Sequence, residues 1–160
     1  MSTAEVPLTN GKVALVDEED FDTVSRYKWR ADEQRPGLFY AVTGHNTMMH
    51  KLICPDYSLV DHKDGNSLNN TRVNLRSADK ATNGMNRGAQ VNNRSGFKGV
   101  SFYPKNQNWR AAIHRDGKQV HLGYFPTAED AARAYDKAAL VLHGAFAFFN
   151  FRDIQEGIFA

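Results

Sequence analysis

The chain has 160 residues, and its 20 Lys and Arg against 18 Asp and Glu leave a net charge of only +2, which points to no class of partner. This length suits one domain or two small modules. Cys54 is the only cysteine, which excludes an intramolecular disulfide and a cysteine-based zinc site. No long apolar run and no signal sequence at Met1–Glu5 are present, so we expect an intracellular protein.

Charge is distributed unevenly along the chain. Residues 17–22 form an acidic run, whereas the stretch from Arg72 to Lys118 is rich in Lys and Arg and has only Asp79 and Asp116 as acids. The basic stretch suits a polyanionic partner, and a solvated surface explains the charges equally well.

The first third of the chain predicts strands and one short helix. Lys12–Val16 is a predicted strand, and Glu19–Tyr27 is a predicted helix because its apolar residues have helical spacing. Leu38–Val42 and Met48–Ile53 predict a strand pair. His50 lies in the second of these strands and has two interpretations: a structural histidine, which we favour, or a neighbour of a metal site formed by the residues that follow.

The most informative run begins at Asp61-His62, directly after the apolar residues Leu59 and Val60. A polar loop follows, then Asn74-Leu75-Arg76, and then Asn83. This order predicts a carboxylate and an imidazole at the end of a strand, with a second oxygen ligand nearby. A phosphodiesterase with one metal needs such a cation site beside a general base. A calcium loop is excluded, because a lysine and a glycine, at positions 63 and 65, stand where that loop needs oxygen ligands.

A helix is predicted to begin at Ser77, which is able to cap it, with Asp79 in its first turn. Asn83 lies on this helix, and Gly84 predicts that the helix is short. The polar, glycine-bounded residues 88–96 then predict a linker.

The run from Asp61 to Asn83 resembles the HNH nuclease family, which has a ββα-metal fold. The resemblance implies that Asp61 and Asn83 hold one divalent ion, with Mg²⁺ favoured over Mn²⁺. It also implies that His62 is the general base and that Asn74 braces the loop. Asn83 replaces the last histidine of the family's name, so we expect weak metal binding that depends on the DNA phosphate.

Beyond residue 97 the pattern changes to a three-stranded antiparallel sheet, with predicted strands at Val100–Tyr103, Trp109–His114 and Gln119–Gly123. Thr127 is predicted to cap a helix that ends at Gly144. Small residues on the inner face of this helix let it lie close to the sheet, which leaves the other sheet face free. The inner-face residues are Ala131, Tyr135, Ala138 and Leu142.

This second pattern resembles the DNA-binding domain of the plant ethylene-response and Apetala-type factors. The matching stretches are Lys98–Val100, Trp109–Ile113, Leu122–Phe125, Thr127–Asp136 and Asn150-Phe151. In that family the sheet enters the major groove. The corresponding DNA-binding positions are Lys98, Ser101, Tyr103, Lys105, Arg110, His114, Gln119 and His121. Base preference does not transfer, because several family arginines and one tryptophan are replaced here. The basic and aromatic mixture favours nucleic acid over a protein partner.

Together the two resemblances imply a homing endonuclease of a mobile element, often from a phage, that acts on double-stranded DNA in the cytoplasm or nucleoid of a host cell. We predict an α+β monomer with a nuclease domain at 1–87, which contains N-terminal strands and the ββα-metal unit. A linker at 88–96, a DNA-binding domain at 97–151 and a tail at 152–160 follow. The expected products are a 5′ phosphate and a 3′ hydroxyl. The alternatives are a DNA-binding regulator with an inactive nuclease unit and, less favoured, an RNA-binding protein.

Overall fold

A computed structural model describes residues 2–151 and confirms the α+β class: antiparallel strands combine with short helices and one long helix. The predicted tail at 152–160 lies outside the described residues. The chain divides into two units, Met1–Asn83 and Gly84–Ala160. None of the helices described in residues 2–151 has the length and apolar character that a bilayer crossing requires.

The first unit is built from antiparallel strand pairs around one core. Trp29 lies at the centre of this core, 2% exposed, and its ring N–H donates to the carbonyl of Val24 at 2.8 Å. The buried N–H of the Trp29 indole therefore has a hydrogen-bond partner. The pairs are β1 (Thr3–Pro7) with β2 (Val13–Asp17), β3 (Arg30–Arg35) with β4 (Leu38–Val42), and β5 (Leu59–His62) with β6 (Leu75–Ala78).

Two short helices accompany these strands, α1 (Glu18–Val24) and α2 (Met49–Ile53), and a third, α3 (Lys80–Asn86), begins in this unit and ends in the second. The predicted strand at Met48–Ile53 is wrong, because these residues form α2. Met49 and Ile53 are four residues apart and both buried, as one face of a helix requires. The predicted strand Leu38–Val42 exists, and its partner is β3.

The predicted helix start at Ser77 is also wrong. Residues 75–78 pair with β5 as strand β6, and the helix begins after Asp79. The carboxylate of Asp79 accepts a hydrogen bond from the amide of Thr82 at 2.7 Å, and the Thr82 hydroxyl accepts one from the amide of Asp79 at 2.9 Å. Asp79 and Thr82 thus form the reciprocal cap that we expected Ser77 to provide.

The second unit contains the predicted sheet and its helix. The strand order is β7-β8-β9, all antiparallel, and α4 packs on one face of the sheet. Thr127 caps α4 by accepting from the amide of Asp130 at 3.1 Å. Gly99 has φ +76, and a Cβ there would lie 2.1 Å from the ring of Tyr135, so only glycine permits this approach. The elements are β7 (Val100–Tyr103), β8 (Asn108–Arg115), β9 (Lys118–Phe125) and α4 (Ala128–His143).

A buried carboxylate fastens the chain that follows α4 to the sheet. Asp136 is 0% exposed and accepts hydrogen bonds from the backbone amides of Asn150 and Phe151 at 2.9 and 3.0 Å. The Asn150 side chain donates to Asp136 at 3.0 Å, and its oxygen accepts from the backbone amide of Lys98 at 2.7 Å. The helix, the end of the described chain and the start of the sheet therefore meet at Asp136.

Candidate nuclease site and DNA-binding surface

Strand β5 ends in Asp61 and His62, which are both 5% exposed. The register with β6 places Asp61 opposite Arg76. The guanidinium of Arg76 contacts Oδ2 of Asp61 through two nitrogens, at 2.7 and 2.5 Å. The sequence pattern assigned Arg76 no role, because its contact with Asp61 depends on the strand register.

The imidazole of His62 is held by a group of buried or half-buried residues. Its Nε2 lies 3.4 Å from the side-chain oxygen of Asn70, which is 1% exposed. The rings of His50 and Tyr40 lie edge-on to it, with centroid distances of 5.2 and 6.0 Å. Asn70 and Tyr40 were not identified from the sequence. His50 packs against His62 rather than standing alone in the core.

Burial favours the neutral form of both histidines. It lowers the pKa of His62, while the Asn70 hydrogen bond and the charges of Asp64 and Asp61 act in the opposite direction. Burial, followed by the charges of His62 and Lys51, lowers the pKa of His50 to about 3. If a neutral His62 donates from Nε2 to the Asn70 oxygen, its proton lies on that nitrogen. Nδ1 is then the atom that accepts a proton.

Asn74 lies across the loop between β5 and β6. Its oxygen accepts from the backbone amide of Asp64 at 3.0 Å, and its NH₂ group donates to the Asp64 carboxylate at 2.9 Å and to the Asn69 carbonyl at 2.7 Å. The loop also contains Asn70, so these bonds help to place the partner of His62.

The residues predicted to hold a metal lie on different elements. Asp61 ends β5, whereas Asn83 is half-buried on α3, where its amide donates to the Asp79 carbonyl at 3.0 Å. A carboxylate and an amide oxygen are hard donors, which suit Mg²⁺ or a similar cation. Asn83 carries no charge, and Arg76 already balances that of Asp61. The donors therefore fit a cation that is held weakly without a further anion.

A separate acidic cluster has a structural explanation. Asp17, Glu19 and Asp20 are the only His, Cys, Asp or Glu group within the described residues whose ligand atoms lie close enough to hold an ion. Arg72 contacts all three: its side chain binds Asp20 at 2.7 and 2.9 Å and Glu19 at 3.1 Å, and its amide donates to Asp17 at 2.7 Å. By binding Arg72, the cluster anchors the end of the loop between β5 and β6.

In the second unit, one face of the sheet packs on α4 and the opposite face is free. Tyr124, which we did not predict, lies on the free face with its ring 5.1 Å from that of Tyr103 and 4.7 Å from that of His121. The side chain of Arg110 donates to that of Gln119 on the next strand. The residues on this side of the sheet are all exposed or half-exposed, and we call the surface that they form the free face. Its residues are Ser101, Tyr103, Arg110, His114, Gln119, His121 and Tyr124.

Two of the predicted DNA-binding residues lie outside the free face. Lys105 is exposed on the turn after β7. The ammonium of Lys98 donates to the carbonyls of Gly84, at 3.2 Å, and Met85. Burial, followed by the charge of Arg87, lowers the pKa of Lys98 to about 8.

The geometry of the first unit defines the class of protein. An antiparallel strand pair that ends in Asp-His, joined to a helix that carries Asn83, is the ββα unit of an HNH nuclease. A protein of Acanthamoeba polyphaga mimivirus named "Uncharacterized HNH endonuclease L560" is 32% identical over 145 residues, which cover 86% of this chain and 74% of that protein. The chain belongs to the HNH endonuclease family.

The second unit has relatives of its own. Residues 95–145 match the AP2 domain family, so the chain also carries an AP2 domain. The rice "APETALA2-like protein 2" (Oryza sativa subsp. indica) is 49% identical over 57 residues, which cover 36% of this chain but only 13% of that protein. A further relative, "Protein 3.8" of Escherichia phage T7, is 37% identical over 91 residues, a stretch longer than the second unit, which covers 57% of this chain and 74% of that protein. The likeness to the rice protein concerns the domain alone.

Proposed function

We propose that the protein is a site-directed DNA endonuclease of the homing type, which hydrolyses phosphodiester bonds with His62 as the general base. The observation that carries this proposal is the placement of His62. It is buried and hydrogen-bonded to Asn70, burial lowers its pKa, and it follows Asp61 in a chain of the HNH family. The viral and phage relatives support the homing role.

In this mechanism, Nδ1 of His62 takes a proton from the attacking water, while Asn70 holds the opposite side of the ring. Asn74 braces the loop that carries Asn70. A divalent cation held by Asp61 and Asn83, with Mg²⁺ favoured, would neutralise charge on the scissile phosphate and on the leaving 3′ oxygen. The products are then a 5′ phosphate and a 3′ hydroxyl.

DNA docking is assigned to the AP2 domain. The free face carries Arg110 beside polar and aromatic side chains that suit base edges and phosphates in a major groove. We keep the domain assignment of a nuclease domain at 1–87, a linker at 88–96 and a DNA-binding domain at 97–151. One recognition domain and one site favour a monomer that nicks one strand.

A plasmid-relaxation assay tests the proposal. Supercoiled DNA that carries candidate target sequences is incubated with the full chain and Mg²⁺, Mn²⁺ or EDTA. We expect open circles with a divalent ion, none with EDTA and none with an Asp61→Ala variant. An Asp56→Ala variant, which changes an exposed aspartate of the same unit, should cut normally.

The second candidate is a DNA-binding regulator with an inactive nuclease unit, which the AP2 match favours. It predicts that the chain binds duplex DNA and relaxes none of the plasmids with any ion. That result, obtained with folded protein that binds the same DNA in a gel shift, would replace the endonuclease proposal.

A further inference from the structure

We propose that Arg76 controls how the cation site is loaded. Its guanidinium occupies one oxygen of Asp61 and, as a fixed positive charge, makes cation binding depend on the DNA phosphate. This inference rests on the proposed function, because it takes Asp61 as a cation ligand. It adds a positioning residue that acts through Asp61.

The contact between Arg76 and Asp61 is a buried pair. Two nitrogens of Arg76 meet the same oxygen, Oδ2, at 2.7 and 2.5 Å, and the side chains of Arg76 and Asp61 are 13% and 6% exposed. Exposed pairs of this kind are screened by solvent and easily separated, whereas a buried pair is not. The strand register also holds the two residues opposite each other. The guanidinium therefore stays beside the proposed ligand.

The charges around the site then set its affinity. The opposite charges of Asp61 and Arg76 cancel, and the amide of Asn83 contributes no charge. Asp64, another acid near His62, is bonded within the loop to Asn69 and Asn74. A divalent cation on Asp61 would thus meet a guanidinium and little net negative charge. A DNA phosphate would supply negative charge to both the cation and the guanidinium of Arg76. The cation and the DNA should therefore each strengthen the binding of the other.

The test measures Mn²⁺ binding to the full chain by the loss of the free-ion electron paramagnetic resonance signal. Without DNA, Arg76→Gln should bind Mn²⁺ about tenfold more tightly than wild type, because a unit charge next to the ion is removed. Arg76→Lys keeps the charge and should match wild type. Arg30→Gln removes the charge of a more exposed ion pair in the same unit and should also match wild type. Asp61→Asn defines the background from other carboxylates.

A second measurement does not depend on the Arg76 variants. In a His62→Ala background, in which cleavage should be slowed roughly a hundredfold or more, addition of a short duplex should raise the Asp61-dependent Mn²⁺ affinity by about tenfold or more. Equal or weaker Mn²⁺ binding by Arg76→Gln would show that Arg76 only orients Asp61, and would overturn the inference. An Asp61-dependent affinity that DNA leaves unchanged would also overturn it. If Asp61→Asn binds Mn²⁺ like wild type with and without DNA, the cation site of the proposed function fails instead.

Discussion

Asn74 and Asp64 exchange two hydrogen bonds: the amide of Asp64 donates to the Asn74 side chain at 3.0 Å, and the Asn74 side chain donates to the Asp64 carboxylate at 2.9 Å. A third bond joins Asn74 to the carbonyl of Asn69 at 2.7 Å. One side chain thus fixes the start and the end of the loop that leads to Asn70. The proposed base depends on this loop for its orientation.

Asn74→Ala removes these three bonds and should lower the free energy of unfolding by about 2 kcal/mol, since part of the loop remains open to water. Urea unfolding of the full chain measures the change. Val73→Ala, which trims a neighbouring side chain that is 71% exposed, should lie within about 0.5 kcal/mol of wild type. Equal stability of the two variants would show that the loop is held by other contacts.

His62→Ala should lower the cleavage rate roughly a hundredfold to ten-thousandfold, the share usual for a general base. DNA binding should survive, because the free face belongs to the second unit. Rates on supercoiled plasmid and gel shifts measure the two properties separately. His45→Ala changes an exposed histidine of the same unit and should cut normally. A His62→Ala protein that cuts at the wild-type rate would remove His62 from the mechanism.

Asn70→Leu should lower kcat by roughly tenfold to a hundredfold with little change in KM, because the partner that orients His62 is lost. Asn70→Asp keeps an oxygen near Nε2 and should recover part of the rate. Nitrogen chemical shifts of labelled histidine report the tautomer directly. In wild type the proton of neutral His62 should lie on Nε2. A proton on Nδ1 would contradict the role that we assign to Asn70.

The second unit was largely predictable because its signals are local. The cap at Thr127 and the stop at Gly144 are read from adjacent residues, and each lies at the predicted position. Strand β3 was missed because its sequence, Arg30 to Arg35, is charged and lacks a clear alternation of apolar residues. It is a strand because it pairs with β4.

The candidate site was only partly predictable, because only some of its features have a local signal in the sequence. Asp61, His62, Asn74 and Asn83 are identifiable by their order along the chain, and their proposed roles stay predictions. Contacts between residues that only the tertiary structure brings together have no comparable pattern in the sequence. Arg76 reaches Asp61 through the register of two strands, and Asn70 reaches His62 through the path of a loop. Such pairs depend on tertiary structure rather than on sequence spacing.

Asp136→Ala should destabilise the second unit by about 3 kcal/mol or more, because the amides of Asn150 and Phe151 would lose their buried acceptor. Urea or thermal unfolding of residues 84–160 measures the loss. Glu129→Ala removes an exposed acid from the same helix and should have little effect. A small loss in Asp136→Ala would show that the apolar contacts and the Asn150–Lys98 hydrogen bond are enough to hold the chain after α4.

Residues 84–160 should fold alone and bind duplex DNA without cutting it, because this unit has its own sheet, capped helix and core. Gel shifts across a salt series should give a log–log slope of roughly −0.9 for each phosphate contacted. If Arg110 touches a phosphate, Arg110→Ala should flatten that slope by about one unit; if it reads a guanine edge, base preference should relax at nearly constant slope. Lys137→Ala removes an exposed charge from α4, away from the free face, and should change neither property. A folded fragment with no measurable affinity for DNA would contradict the assignment of docking to the AP2 domain.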